Sequence, residues 1–288
     1  MEEPLPAGGS CLLGSMNLSE YVLPNKKFDF KNFNEDVQIA VGALNDVLDE
    51  GQPLHPLQEQ KDSVHDWRQI GLGIMGIADM LIKMEIPYDS DEAITLCDDI
   101  GYELLNAALH KSAMLAKEFG AYPKYEAKYA INDFVKTNCD DSVIDEIKKY
   151  GLHNSQLLTI APTGTLSTML GISGGIEPIY ANYYNRKTES LHDGKEVVYK
   201  VYTPIVDKYM KEHNLVEENE LPAWFVTSGT INPMKRVDMQ ATWQKYIDAS
   251  ISSTVNLPNE ANTELIGKLY FKAWEEGLKG LTIFRDNC

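Results

Sequence analysis

A run of small and hydroxylated residues, 162–167, offers the clearest ligand-binding chemistry in this sequence. The run reads PTGTLS and follows an apolar stretch that predicts a strand over 157–161. If the run opens a helix, its unpaired backbone N–H groups and hydroxyls face outward together and form a phosphate site. A Ser/Thr-rich turn that caps itself has the same composition. The pattern leaves both alternatives open, and the nearby SGGIEP run at 173–178 adds flexible backbone and one carboxylate without deciding between them.

The four cysteines show no C-x-x-C spacing and are too few for a disulfide scaffold or a zinc site. Cys11 lies among small and apolar residues, with no nearby lysine or histidine to favour the thiolate. This environment favours a buried structural thiol. Cys97 lies in an apolar helical pattern and is predicted in the core, whereas Cys139 and Cys288 are predicted at the surface. The six histidines have no ligand spacing, so no metal site is predicted.

Residues 71–76 match the pattern G-x-G-x-x-G of dinucleotide-binding loops. That fingerprint requires a strand before it and a helix after it. Here both flanks are predicted to be helical, so the glycines are interpreted as small residues that allow close helix packing. An oxidoreductase that binds a nicotinamide cofactor at this motif is therefore the weakest of the functional hypotheses.

The overall composition is that of an ordinary globular protein, with 43% hydrophobic and 24% charged residues among 288. Twenty-six basic and 43 acidic residues give a net charge of −17, which disfavours binding to a nucleic-acid backbone. No apolar run is long enough for a membrane span, and the first residues do not form a signal-peptide pattern. The sequence therefore predicts a cytoplasmic protein that binds neither nucleic acid nor membrane.

The first half of the chain is predicted to be mainly helical. The first 30 residues, rich in proline and glycine, predict loop or extended chain. Apolar periodicity predicts helices over 34–51, 67–84 and 91–119, the last capped by Ser90.

The second half alternates between strands and helices. After the 157–161 strand, the charged stretch 185–220 is predicted to be a surface excursion. Strands are predicted over 223–227, 253–257 and 280–284, and helices over 233–249 and 263–276. Strand–helix alternation at this spacing predicts parallel pairing with right-handed crossovers, so the fold class is α/β.

Several segments together resemble the catalytic subunit of ribonucleotide reductase, most closely its adenosylcobalamin-dependent (class II) branch. They occur in family order and cover nearly the whole chain: EEPLP at 2–6, SCLLGSMNL at 10–18, RQIGLGIMG at 68–76, APTGT at 161–165, GGIEP at 174–178 and GLTIFRD at 280–286. In combination these segments are highly specific.

The resemblance implies the second half of a ten-stranded α/β barrel, a five-stranded parallel half-barrel with surrounding helices. Residues 1–30 are then the remnant of the central catalytic loop and the entry segment. Residues 31–288 are the C-terminal half of the barrel domain, helical up to about residue 150 and βα-alternating after it. The radical cysteine, the first half-barrel and most of the cofactor-binding region are absent from this sequence.

The resemblance also assigns roles to particular residues. Glu2 falls on the glutamate that acts as general base on the 3′ hydroxyl of the substrate, with Met1 in place of a glycine. Cys11 falls on one of the two thiols that supply reducing electrons, and its partner belongs to the missing half. The substrate phosphates, of a di- or triphosphate, would bind at Pro162, Thr163, Gly164, Thr165 and Ser167.

Family members that import their radical from a partner protein carry adjacent tyrosines near the last strand. This chain has Phe284 there, and its adjacent pair Tyr183 and Tyr184 lies elsewhere. The resemblance therefore implies adenosylcobalamin as the cofactor of the complete enzyme. Only Cys288 stands where a C-terminal cysteine pair would accept electrons from a thioredoxin-like reductant.

The sequence thus predicts the C-terminal portion of a ribonucleotide reductase catalytic subunit. Such an enzyme makes 2′-deoxyribonucleotides for DNA synthesis by thiyl-radical chemistry, and this chain is expected to be active only with an N-terminal half. The alternative is a non-catalytic half-barrel that serves as a binding or assembly module and self-associates into a homo-oligomer. Retention of Glu2, Cys11 and the 162–167 run favours the enzyme.

Overall fold

The computed structural model describes residues 4–188 and 197–287. Its strands are β1 (Leu13–Asn17), β2 (Gly71–Met75), β3 (Tyr183–Thr188), β4 (Val197–Tyr202), β5 (Thr254–Leu257) and β6 (Thr282–Arg285). Its α-helices are α1 (Phe30–Gly51), α2 (Gln58–Trp67), α3 (Ile77–Lys83), α4 (Asp91–Phe119), α5 (Ala127–Ala130), α6 (Asp133–Asn138), α7 (Asp141–Tyr150), α8 (Gly164–Leu170), α9 (Pro204–His213), α10 (Pro233–Gln244) and α11 (Thr263–Glu275). Short 3₁₀ turns cover Leu18–Tyr21, Gln52–Leu54 and Glu218–Glu220. The predicted α/β class is confirmed.

Five extended segments lie side by side in parallel and in chain order. β1 pairs with β2 along its whole length. β2 meets the 157–161 segment through a parallel bridge from Leu72 to Leu158, and Ile160 bridges to Ile251 just before β5. β5 then pairs with β6 in parallel. A five-stranded half-barrel requires this order, although the closed barrel itself stays a prediction.

The helix predicted over 67–84 is wrong, because its middle part is strand β2. Every residue of β2 is buried. A Cβ atom on Gly73 would lie 2.1 Å from the carbonyl oxygen of Thr159, so only glycine lets the two backbones approach. The predicted close packing at these glycines is therefore real, but it brings two strands together rather than two helices. Gly76, with φ of +73°, then turns the chain into α3.

The helices before and after β2 match the sequence pattern more closely. α4 begins and ends as predicted, and the Ser90 hydroxyl accepts a hydrogen bond from Ala93 N at 3.1 Å. α1 begins at Phe30, four residues before the predicted start, because Asp29 provides the cap and Phe33 is already fully buried. α1 and α4 pack against each other, and α1 also contacts β1.

The C-terminal elements largely follow the prediction. The starts of α10 and α11 and the parallel β5–β6 pair are confirmed. α10 ends at Gln244 rather than at residue 249, because Ala249 N already donates to the carbonyl of Leu158 and so belongs to the sheet. The predicted strand over 223–227 is wrong, since only Thr227 pairs there, in a bridge to Ile179.

Two other predictions concern the surface of the molecule. The first 30 residues were predicted to be loop or extended chain, and an extended part of them forms β1, because β2 supplies a complete row of parallel partners. The charged stretch 185–220 contains the antiparallel β3–β4 hairpin and α9, and much of its described surface is exposed, in line with a surface excursion.

Buried side chains form one large cluster and one small cluster. The large cluster joins α1, β2, α3, α4 and part of α10. The small cluster lies between α10, β5 and α11, with β6 packed against it. No helix among the described residues is long and apolar enough to cross a bilayer.

Candidate functional site

The 162–167 turn lies where the third parallel segment ends, at the edge of the sheet where ligands of α/β proteins commonly bind. The first intrahelical donor of α8 is Ser167 N, which donates to the Thr163 carbonyl at 2.8 Å. The N–H groups of 164–166 precede that donor, and these residues are exposed. The Thr163 side chain makes no capping hydrogen bond to α8, so the self-capping alternative does not describe this helix start.

The Thr163 hydroxyl is instead engaged by the glycine-rich loop that follows α8. Gly175 N donates to Thr163 Oγ1 at 2.9 Å. A Cβ on Gly174 would lie 2.7 Å from the Pro162 carbonyl oxygen, and a Cβ on Gly175 would lie 2.7 Å from that of Ala161. The two glycines are therefore needed for the loop to lie directly on the turn.

The beginning of this loop is fastened to α3. Ser173 N donates to the Asp79 carboxylate at 2.7 Å, and Gly76 N donates to the Ser173 carbonyl at 2.8 Å. Burial raises the pKa of Asp79, while the hydrogen bonds from Ser173 and the charge of Lys83 oppose that rise. The turn, the loop and the end of β2 thus form one connected backbone surface.

The end of the loop is held by an ion pair. Glu177 Oε2 accepts from Arg236 Nη2 at 3.0 Å, and Glu177 Oε1 accepts from Thr254 N at 2.8 Å. Arg236 is only 1% exposed, and its guanidinium lies 5.9 Å from the ring centroid of Tyr88. One carboxylate therefore joins the loop to α10 and to the first residue of β5.

The sequence reasoning missed Arg236, although its position carried a signal. Arg236 shares one face of α10 with Met239, Gln240 and Trp243, at the spacing i, i+3, i+4 and i+7, and all four are fully or almost fully buried. A basic residue on such a face needs a buried acidic partner. Glu177 was singled out as a carboxylate, but nothing in the sequence joins two residues that lie 59 positions apart.

Cys11 is exposed, so the structural thiol expected from its sequence neighbours is wrong. It lies two residues before β1. It lines a cavity of about 330 Å³ together with Leu48 of α1, Val64 of α2 and His55, which lies between the two helices. Exposure removes the packing argument against a redox role, and that role stays a prediction.

The other cysteines differ from Cys11. Cys97 is fully buried, as predicted, and burial raises the pKa of its thiol. Cys139 was predicted at the surface but is partly buried, and burial, with the nearby Asp140, raises the pKa of its thiol to about 12. Glu2 and Cys288 lie outside the described residues.

The structure does not bring Cys11 and the turn together within this chain. Leu13 pairs with Gly71 and Leu72 with Leu158, so Cys11 lies just before the amino end of the sheet. The turn begins just after the carboxyl end. Five residues of strand span roughly 17 Å, so the two candidate groups lie at opposite ends of the sheet.

The described residues do not fit cobalamin by themselves. The cavity beside Tyr180 and Asn256 has a volume of about 470 Å³, which is too small to enclose a corrin ring with its adenosyl group. No group of three or more histidine, cysteine or acidic side chains suited to a metal ion occurs among residues 4–188 and 197–287. No step of the chemistry is therefore assigned to a cofactor held by this chain.

The parallel segments in chain order, with a glycine-buttressed turn at their carboxyl edge, define an α/β protein with a candidate anion site. Residues 1–284 match the family of the ribonucleotide reductase barrel domain, and the chain belongs to that family. The resemblance inferred from the sequence motifs is confirmed.

Curated relatives show how much of a whole reductase the chain matches. It is 35% identical to a vitamin B12-dependent ribonucleoside-diphosphate reductase of Thermoplasma acidophilum, with 99% of this chain and 37% of that protein aligned. A protein of the same name from Mycobacterium tuberculosis is 30% identical, with 99% and 40% aligned. A ribonucleoside-diphosphate reductase subunit alpha of Chlamydia pneumoniae is 30% identical, with 96% and 30% aligned. The chain thus spans well under half the length of these relatives.

A solved structure supports the fold. The alpha subunit of the class Id ribonucleotide reductase of Actinobacillus ureae superposes with a TM-score of 0.73, covering 96% of this chain and 50% of that one. The sequence identity is 23%, so this likeness bears on the fold alone.

Proposed function

We propose that this chain supplies the second half-barrel of a ribonucleotide reductase catalytic subunit, which removes the 2′ hydroxyl of ribonucleoside di- or triphosphates. The observation that carries the proposal is the 162–167 turn, exposed at residues 164–166 and buttressed by Gly174 and Gly175, in a chain of the reductase barrel family. A cytoplasmic location, where nucleotides are made, is part of the same proposal.

The turn binds the substrate phosphates. The N–H groups of 164–166 lie at a helix start and favour negative charge there. Thr163 and Thr165 add hydroxyls on the same short turn. Because the whole chain carries a net charge of −17, a polyphosphate must be held by such local donors rather than by the overall field.

Cys11 and Glu2 act on the ribose. Glu2 takes the proton of the 3′ hydroxyl, which assists departure of the 2′ hydroxyl as water. Cys11 and a second thiol from the other half give up two protons and two electrons and become a disulfide. The balance is one ribonucleotide and two thiols converted to one deoxyribonucleotide, one water and one disulfide.

The radical step belongs to the other half of the barrel. That half supplies the radical cysteine and the cobalamin site, and a thioredoxin-like reductant restores the thiols indirectly.

The direct test is reduction of a ribonucleotide by this chain mixed with a family N-terminal half that ends just after its radical cysteine. Adenosylcobalamin and dithiothreitol are supplied. We expect deoxyribonucleotide only from the mixture, and none after Glu2→Gln or Cys11→Ser. Cys139→Ser is the matched control, since Cys139 is a partly buried thiol with no proposed role, and it should leave turnover unchanged.

Turnover by the isolated chain would contradict the proposal. If the halves do not bind and this chain sediments as a homo-oligomer, the self-associating module becomes the better account. The observation that favours this alternative is that β1 and β6 each pair with one strand only among the described residues, which leaves an edge of each available to another copy.

A further inference from the structure

Thr163 holds a backbone conformation that is costly for its residue type. Its φ of +49° lies in the left-handed region, which β-branched residues rarely adopt. Such a conformation persists only where the surroundings impose it. The hydrogen bond from Gly175 N to Thr163 Oγ1 is one such constraint. Because Oγ1 accepts this N–H, its own O–H points away from Gly175 and is free to turn towards a ligand at the helix start.

Gly175 is itself held in a tight turn. Glu177 N donates to the Gly174 carbonyl at 2.9 Å, and Gly175 has a φ of +46°. Gly174 lies against the Pro162 carbonyl, so any shift of this loop moves the phosphate turn as well. The Tyr88 hydroxyl donates to the carbonyl of Ile176, in the middle of the loop.

The Glu177 carboxylate anchors the end of the loop to the rest of the protein. Its two oxygens accept separately from Arg236 of α10 and from the backbone of Thr254, the first residue of β5. Arg236 is almost fully buried, and its Nε and Nη1 have no partner among the described side chains and backbone. Burying a guanidinium with two unpaired donors is costly, so stability alone gives little reason for an arginine here.

We propose that Glu177 and Arg236 are positioning residues, which hold Gly174 and Gly175 so that the Thr163 hydroxyl and the first N–H groups of α8 present a fixed phosphate site. This inference rests on the proposed function of the turn. It extends the site by an ion pair between a buried arginine and a half-buried glutamate, and neither residue touches the substrate.

The test measures the full chain in two independent ways. Amide hydrogen exchange of Gly175, followed by NMR, reports whether the bond to Thr163 is kept. Titration with inorganic pyrophosphate reports whether the turn binds an anion. The variants are Glu177→Gln, which keeps the size but offers one acceptor oxygen for two donors, and Arg236→Lys, which keeps the charge. Lys235→Gln is the matched control, because Lys235 is the neighbouring cation of α10 and pairs with Asp91 at the surface.

For both variants we expect Gly175 exchange to accelerate at least about tenfold while the core of α4 keeps its protection. Pyrophosphate affinity should fall at least about tenfold, as expected for a binding group that is displaced by about 1 Å. Lys235→Gln should match the wild type in both measurements.

A folded Glu177→Gln or Arg236→Lys variant with wild-type exchange and wild-type affinity would overturn the positioning role. If one variant unfolds, the other still decides. If the wild-type chain itself binds no pyrophosphate, the phosphate role of the turn fails, and the exchange of Gly175 still shows separately whether the ion pair holds Thr163.

Discussion

The middle of the sheet and its C-terminal edge are built differently. We call β2, the 157–161 segment, α4 and α10 the central region, and α11 with β6 the terminal edge. β2 is buried at every residue, whereas β6 alternates between exposed and half-buried positions. α10 buries Trp243 completely, while α11 exposes 72% of Trp274 and 58% of Phe271.

This difference shows which strands the chain itself covers on both faces. Strands of parallel sheets are normally covered on both faces and read as continuous apolar runs. The central region satisfies that rule within the chain. At the terminal edge, β6 pairs only with β5 among the described residues and keeps Phe284 45% exposed. Our proposal that another half-barrel completes the molecule is consistent with that open edge.

The two tryptophans give the largest test of this contrast. Trp243→Ala removes a fully buried side chain of the large cluster and should lower the free energy of unfolding by about 4 kcal/mol. Trp274→Ala, on the exposed face of α11, should change it by less than about 0.5 kcal/mol. Urea denaturation of the isolated chain measures both. Equal losses would mean that the terminal edge is as well packed as the centre.

Two glycines sharpen the same contrast with one type of substitution. Gly73→Ala forces a Cβ against the Thr159 carbonyl and should destabilise the chain by about 3 kcal/mol. Gly267→Ala, in α11, places its Cβ in open space and should stabilise by about 0.5 kcal/mol. Thermal melts of the two variants should therefore shift in opposite directions. A harmless Gly73→Ala would contradict the close approach of β2 and the 157–161 segment.

The smallest effect is a dependence of stability on pH that arises next to the central region. His153 lies beside the 157–161 segment and hydrogen-bonds through Nδ1 to the Gly120 carbonyl at 2.7 Å. Burial lowers its pKa below the ordinary 6.5, with a further contribution from the charge of Arg68, against the hydrogen bond to Gly120. The unfolded chain therefore takes up this proton more readily, so stability is retained above about pH 6.5 and lost as the pH falls below it.

Consequently, the wild type should lose more stability between pH 7.5 and pH 5.5 than His153→Asn does. Urea denaturation at the two pH values measures the difference. His213→Asn is the control, because His213 lies exposed at the end of α9. An identical loss for the wild type and His153→Asn would show that the histidine is not held in its neutral form.

Helix caps and apolar periodicity, which are local signals in the sequence, were enough to predict several helices. Ser90 and Asn232 cap α4 and α10 as expected, and apolar periodicity located α11. β2 could not be predicted this way, because a glycine-rich strand has weak local preference and is determined by its neighbours on both sides.

The candidate site could be predicted only in part, because some of its features have a local signal in the sequence and others depend on tertiary contact. The turn was visible as a cluster of hydroxyls after a strand, and Cys11 became a candidate only through resemblance to a family. The ion pair between Glu177 and Arg236 depends on tertiary contact, and the positive φ of Thr163 has no signal in its residue type.

The proposed chemistry of this chain depends most directly on the redox role of Cys11. A single turnover by the reconstituted mixture, without external reductant and followed by alkylation and mass spectrometry of the Cys11 peptide, tests that role directly. We predict that the fraction of Cys11 that no longer reacts with the alkylating agent equals the deoxyribonucleotide formed. This fraction should be recovered in a disulfide with a cysteine of the other half. Formation of product while Cys11 remains fully alkylated, or undiminished product from Cys11→Ser, would contradict the account.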